Sequence, residues 1–171
     1  NVRKLSDLEL GKIKNISINL NEVLVKAIKY VKTRFPDKQP NIIFNPNEET
    51  YIVEASEILY DVFRIILNNA IRYNDNTEVE VIVNVALQKE EGINYIRMDF
   101  MDNGIGMSDK MKENIFYKIY EEPKSFKRIG LGLLLVREVV QSFNGKVRAE
   151  DRVKGDYKKG SNIIILIPET N

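Results

Sequence analysis

The sequence contains no cysteine and no histidine. The first absence removes disulfides and thiolate chemistry and favours a reducing compartment. The second removes histidine-based triads, the usual zinc sites and imidazole acid–base catalysis. Any metal has to be held by oxygen ligands, which points to magnesium or calcium. Charge of one sign is also lacking: 26 Lys and Arg stand against 25 Asp and Glu. No general field therefore draws in nucleic acid or an anionic membrane. No apolar run approaches the roughly 18 residues of a membrane span; "IGLGLLLV" and "IIILI" are far shorter. There is no signal peptide, internal repeat or low-complexity segment. The first residue is Asn1 rather than Met, from which a piece of a longer protein is expected.

What is there suits one domain. The chain has 171 residues, 43% of them hydrophobic, enough for a real core. "NVRKLSDLELGKIK" carries Val2, Leu5 and Leu8 at helical spacing and reads as the tail of a helix begun upstream. "ISINL" predicts a short strand. Asn21 then caps a helix with Val23, Leu24, Ala27, Ile28, Val31 and Phe35 on one face, ended by Pro36 and Pro40. "NIIFN" and "YIVEA" predict two strands. Ser56 caps a strong helix that buries Leu59, Val62, Phe63, Ile66 and Ala70. "EVEVIVNVAL" and "NYIRMDFMD" alternate with period two about a "KEEG" turn, as strands do. "SDKMKENIF" is a short helix capped by Ser108, and "GLGLLLVREVVQSF" a longer one. "GKVRAED" and "SNIIILIPE" are strands separated by the basic "RVKGDYKKG". The order β-α-β-β-α-β-β-α-α-β-β departs from strict alternation. It predicts an α+β, two-layer sandwich: one mixed, mostly antiparallel sheet with helices packed on one face.

Four patches carry possible chemistry. In "NNAIRYN", Asn69, Arg72 and Tyr73 fall at i, i+3 and i+4 and share a helix face;. An amide, a guanidinium and a phenol there suit a metal, a phosphate and a flat ring, although a solvated polar edge would look alike. In "DNGIGM", Gly104 and Gly106 let backbone lie flat against a ligand. Asp102 leaves a strand end and, when ionised, accepts only from donors such as an exocyclic amine. An ordinary strand-to-helix turn is the alternative. In "RIGLGLLLV", Gly130, Leu131 and Gly132 open a helix whose free amides and dipole favour an anion. It is neither a Walker A loop nor a Rossmann fingerprint, and glycines for close helix packing are the other reading. Between Phe116 and Gly130, Lys118, Lys124, Lys127 and Arg128 lie in a polar stretch, read either as a lid beside a phosphate site or as a plain surface loop.

Taken in order, "NAIRY", "DNGIGM", "IFYKIY" and "GLGLLLV" resemble the N, G1, F and G2 boxes of the ATP-binding domain of sensor histidine kinases. That domain belongs to the GHKL superfamily, shared with gyrase, heat-shock chaperone and mismatch-repair ATPases. The likeness covers residues 17 to 168 and implies a GHKL-type fold. "KLSDLELGKIK" is similar to the end of the dimerisation helix that precedes the domain in these kinases. It implies a division into residues 1–14, helix end and linker, and 15–171, catalytic domain.

The resemblance implies the following roles. Asn69 ligates Mg²⁺, Tyr73 packs beside the adenine, and Asp102 receives the adenine amino group. Gly104 and Gly106 shape that pocket. Gly130, Leu131 and Gly132 approach the phosphates, with Lys124 from the lid, and Ser161 is the small hydroxyl residue near Asp102. Arg72, Lys127 and Arg128 supply the catalytic positive charge. The cofactors implied are ATP and Mg²⁺, and the reaction is transfer of the γ-phosphoryl group to a histidine on a separate domain. The partners implied are an upstream dimerisation and phosphotransfer domain and a response regulator. The full-length protein is expected to be a homodimer that is cytoplasmic here and able to be membrane-anchored upstream, with no nucleic acid and no direct membrane contact by this domain. Ile65 replaces the second asparagine of the kinases, or the water-activating glutamate of the hydrolytic members. Ile119 replaces a phenylalanine and Arg128 a glycine. An anti-sigma-type serine kinase of the same fold and a non-catalytic nucleotide-sensing module remain the alternatives.

Overall fold

The computed structural model describes residues 14–46, 49–117, 120–121, 128–129 and 131–170. The predicted N-terminal helix tail, residues 1–13, lies outside them. Strand β1 (Ile16–Asn19) leads into helix α1 (Leu20–Arg34). The cap is Asn19 rather than the predicted Asn21: its side-chain oxygen accepts from the N–H groups of Asn21 at 3.1 Å and Glu22 at 3.4 Å. Starting the helix earlier puts Leu20 fully in the core. Asn21 instead donates from its amide to the Glu49 carbonyl at 3.2 Å.

After β2 (Asn41–Phe44) and β3 (Ile52–Ala55) comes α2 (Ile58–Arg72). The N-cap is Glu57, which makes no side-chain capping bond, rather than the predicted Ser56, which lies one position before it. The Ser56 hydroxyl accepts from the Ile58 N–H at 3.4 Å and its carbonyl from that of Leu59 at 3.0 Å. The long hairpin β4 (Glu80–Glu90) and β5 (Ile93–Asp102) follows. The predicted turn narrows to Glu91 and Gly92, both at positive φ, the geometry that matches strand twist in two-residue hairpins. Helix α3 (Asp109–Asn114) and the small pair β6 (Tyr120–Glu121) and β7 (Arg128–Ile129) precede α4 (Leu131–Ser142). Strands β8 (Lys146–Val153) and β9 (Asp156–Pro168) end the chain.

The five-stranded sheet runs β2-β4-β5-β9-β8, parallel only between β2 and β4. The predicted mixed, mostly antiparallel sheet is therefore observed, with two differences. Strands β1 and β3 pair with each other, Ile16 opposite Ala55, and stand apart from the main sheet. The basic stretch "RVKGDYKKG" is largely strand, because β8 and β9 keep pairing beyond the edge of the core. Out there the side chains are exposed, so no apolar alternation marks them.

One sheet face carries the buried Val81, Val83, Met98, Phe100, Ile163, Ile165 and Ile167, against α2 and α4. Phe63 of α2 meets Phe100 with ring centroids 5.8 Å apart. Among the described residues no helix covers the other face. Tyr95, Ile164 and Leu166 are buried there, beneath long charged side chains such as Arg148, which pairs with Glu90 at 2.6 Å. This layering leaves the end of α2, the end of β5 and the middle of β9 converging at one edge of the core.

Phe63 is fully buried at the centre of that layer. Phe63→Ala is expected to cost about 3–5 kcal/mol, read as a lower urea midpoint with an unchanged slope.

Candidate functional site

A cleft opens where these elements meet, walled by α2, the turn after β5, α3, the first turn of α4, and β9. It encloses about 590 Å³ of space, the open solvent at its mouth included. Most of its wall is apolar: Ile66 and Ala70 from α2, Met107, Met111 and Ile115 around α3, Leu133 and Ile163 opposite. Asn69, Tyr73, Asp102 and Ser161 add the polar groups. A flat, largely apolar ligand with a few polar edge atoms fits such a surface.

Asp102 is the carboxylate of this wall and is only 8% exposed. Its Oδ1 accepts from the Gly104 N–H at 2.9 Å and the Ser161 N–H at 3.3 Å. Oδ2 has no hydrogen-bond partner among the described residues. Burial is the dominant influence and pushes the carboxyl up from its ordinary 3.8 to about 6. The two amides and the charge of Arg152 act the other way. The chain thus keeps an acceptor with one satisfied oxygen and one free, which selects a hydrogen-bond donor.

The surrounding glycines are there for close approach. A Cβ on Gly160, at φ +120°, would sit 1.9 Å from the Asp102 carbonyl oxygen. One on Gly106, at φ +74°, would sit 1.7 Å from that of Tyr157. Gly104 does not need positive φ; a Cβ there would come within 2.6 Å of the Tyr73 carbonyl. The turn is therefore clamped between the end of α2 and β9. Asparagines complete the clamp. Asn74 is buried and donates to Asn103 Oδ1 at 2.7 Å. Asn103 also accepts from the Glu80 N–H at 2.9 Å and donates to the Glu78 carbonyl at 2.9 Å. The Ile105 N–H reaches the Tyr73 carbonyl at 3.1 Å.

Of the predicted residues, the cleft brings together Asn69, Tyr73, Asp102, Gly106 and Ser161, with Gly104 directly behind the wall. Arg72 is exposed on the last turn of α2 and is not part of the wall. Leu131 is 55% exposed at the start of α4. Gly132 packs against α2, where an added Cβ would meet Ile65 Cγ2 at 2.7 Å. Arg128 belongs to β7, its backbone paired with Glu121. Lys124, Lys127 and Gly130 lie outside the described residues.

Sequence reasoning missed Asn74, Asn103 and the methionine wall. Met111 and Ile115 sit at i and i+4 of a helix whose Ser108 cap was legible, and that spacing could have found them. The cap itself forms as predicted, with Ser108 Oγ accepting from the Met111 N–H at 3.3 Å.

Among the described residues no cluster of three or more acids, cysteines or histidines could hold a metal by itself. Asn69, in the cleft wall, carries one amide oxygen;. That donor suits an oxygen-seeking ion carried in largely by a ligand's own oxygens.

Comparison with known proteins places this geometry. The family model described as "Histidine kinase-, DNA gyrase B-, and HSP90-like ATPase" matches residues 54–171. The sensor protein RprX of Bacteroides fragilis is 25% identical over 167 residues, 95% of this chain and 31% of that protein. The sensor histidine kinase WalK of Bacillus subtilis is 26% identical over 179 residues, 98% of this chain and 28% of that protein. The chain thus spans about a third of such relatives. Among solved structures, the mycobacterial sensor histidine kinase MprB superposes with a TM-score of 0.75 at 21% identity, over 90% of this chain and 98% of that one. A nucleotide-free catalytic domain of histidine kinase ThkA does so with 0.75 at 21%, over 93% and 100%. These structures share the fold described above.

The raised pKa of Asp102 makes a stability prediction. A carboxyl whose folded pKa lies above its unfolded value leaves the folded chain holding the extra proton between pH 3.8 and about 6. Stability is then greatest below that window and falls as pH rises through it, by on the order of 1–3 kcal/mol. Asp102→Asn keeps an oxygen for both amides and cannot ionise. It is expected to unfold at a higher temperature than the parent at about pH 8, with the gap closing by about pH 4.

Proposed function

The chain belongs to the histidine kinase-, DNA gyrase B- and HSP90-like ATPase family, and from that premise we propose that it is the ATP-binding catalytic domain of a sensor histidine kinase. It would transfer the γ-phosphoryl group of ATP to a histidine on a separate dimerisation domain. The observation that carries the reading is the half-satisfied Asp102. Oδ1 is held by two backbone amides, and Oδ2 is left to accept from the amino group of an adenine seated among Ile66, Ala70, Met107 and Ile163.

Tyr73 packs beside the ring in this reading, and Ser161 lies beside Asp102. The triphosphate runs toward the start of α4, where unpaired N–H groups and the helix dipole favour negative charge. Gly130, Leu131 and Gly132 give main chain there, and Arg72, Lys124, Lys127 and Arg128 are assigned to the phosphates as cations. Asn69 would hold Mg²⁺, which when bound neutralises charge on the phosphate oxygens. Phosphoryl transfer asks the protein mainly for positioning and charge neutralisation. Ile65 packs on Gly132 and can neither take a proton nor bind a metal, so this position activates no water. That favours transfer to a protein acceptor over hydrolysis.

The acceptor has to come from elsewhere, because the chain contains no histidine. We assign residues 1–14 to the end of a preceding dimerisation helix and 15–171 to the catalytic domain. The intact protein is read as a homodimer that passes its phosphoryl group to a response regulator, with this domain in the cytoplasm. No described helix is long and apolar enough to cross a membrane. Incubating a longer chain with ATP and testing the phosphoprotein for acid lability separates histidine transfer from serine transfer.

Binding an amine donor to Oδ2 favours ionised Asp102, so nucleotide binding below the apo pKa of about 6 must expel a proton;. Affinity for a fluorescent ATP analogue is expected to fall as pH drops from about 7 to 5, approaching tenfold per unit at the acid end. Asp102→Asn turns a donor toward a donor. It should lose about 1–3 kcal/mol of binding together with that part of the pH dependence. The variant also serves as the baseline for titration of the nucleotide's own phosphates. A parent that shows no saturable binding at high micromolar analogue, or a variant with unchanged affinity, removes Asp102 from this role.

A further inference from the structure

Helix α2 ends without the glycine that commonly closes a helix, since its last turn runs "NNAIRYNDN";. A helix end leaves carbonyls without internal donors, and here they find donors from distant parts of the chain. The Tyr73 carbonyl takes the Ile105 N–H at 3.1 Å. The carbonyls of Ile71 and Asn74 both take the ammonium of Lys38, at 2.8 Å and 3.3 Å.

Lys38 comes from the loop between α1 and β2 and is not part of the cleft wall. The loop is shaped to deliver it: the N–H groups of Lys38 and Gln39 return to the Phe35 carbonyl at 3.3 and 3.2 Å, and Gln39 sits at φ +42°. A cation at this end also meets the negative pole of the helix dipole. What it steadies is the functional end of α2. Asn69 and Tyr73 both line the cleft. Asn74, whose carbonyl Lys38 holds, donates from its side chain to Asn103, the neighbour of Asp102.

We propose that Lys38 is a positioning residue for the nucleotide site. Its ammonium replaces the missing helix-closing glycine, fixing Asn69 and Tyr73 toward the cleft and the Asp102 turn against them. The proposal rests on the nucleotide reading above and goes beyond it, since Lys38 touches no part of the cleft.

The test compares the parent chain with Lys38→Met, Lys38→Gln and Lys38→Arg. It uses titration with a fluorescent ATP analogue and amide hydrogen exchange at Tyr73, whose N–H bonds the Asn69 carbonyl at 3.1 Å. Lys38→Met is expected to bind about three- to tenfold more weakly and to exchange faster at Tyr73, with Met98 in the central strand unchanged. Lys38→Arg keeps a cationic donor and should restore both readouts, while Lys38→Gln, a neutral donor, should fall between. Parent-like binding by Lys38→Met overturns the proposal, even if its melting temperature drops. So does a Lys38→Arg no better than Lys38→Met. Should Lys38→Met fail to fold, the contrast between Lys38→Gln and Lys38→Arg decides in the same way. A parent chain that binds no analogue fails the nucleotide reading and takes this proposal with it. Binding abolished by Asp102→Asn but untouched by Lys38→Met fails this proposal alone.

Discussion

A single buried carboxylate sets the terms for the rest of the molecule. Asp102 can remain in the cleft wall only because one of its oxygens meets two backbone N–H groups, from Gly104 and Ser161. Two amides 57 residues apart in sequence must therefore arrive at one atom, and everything nearby gives way to that. The Gly160 backbone lies flat against the Asp102 carbonyl, where any side chain would collide. Antiparallel register pairs Met101 with Asn162, one step from Asp102 and Ser161. The sheet thus builds the site, and the turn only finishes it.

The arrangement has an internal cost. Desolvation raises the Asp102 pKa to about 6, so at neutral pH the empty domain carries a charge its surroundings oppose. The proposed nucleotide role of Asp102 accounts for that tension, since a ligand donor at Oδ2 would relieve it. The clamp around the carboxylate explains how it persists. Asn74 and Asn103, together with the Tyr73 carbonyl, tie α2 to the turn through side-chain and backbone bonds, so the carboxylate cannot relax by moving toward solvent.

How much of this was legible depended on how local its cause was. The Ser108 cap, the β4–β5 alternation and the buried stripe of α2 follow from neighbours within a few residues, and each forms as its pattern predicts. The Asn19 cap was misplaced by two positions, because a cap is chosen by where the first core residue must go, and Leu20 had to be inside. Strands β1 and β3 bury Ile18, Val53 and Ala55, but which strands pair is a matter of long-range register, and the outward extension of β9 left no apolar signature because its side chains there are largely exposed. Gly104, Gly106 and Asp102 could be picked out as a candidate cluster. That Gly106 answers to Tyr157, and Gly160 to Asp102, depends on register between distant strands, which no short motif contains. The proximity of Ser161 to Asp102 was available only through the family resemblance.

The contact between Ile65 and Gly132 links packing to chemistry at the other end of the cleft. Helix α2 carries Asn69, and α4 begins where the phosphates are expected. The spacing between these helices is set in part by a branched apolar side chain seated on a residue with none. A Cβ at position 132 would lie 2.7 Å from Ile65 Cγ2, so the seam closes as tightly as side-chain volumes allow. Ile65 thus exchanges a chemical option for a fixed helix spacing. This end of the cleft is set by packing, while Asp102, its carboxyl pushed up to about 6 by burial, stands at the other. Such a division suits the proposed transfer to an acceptor brought from outside: in that reading one end takes the nucleotide's ring, and the other holds still while the acceptor approaches.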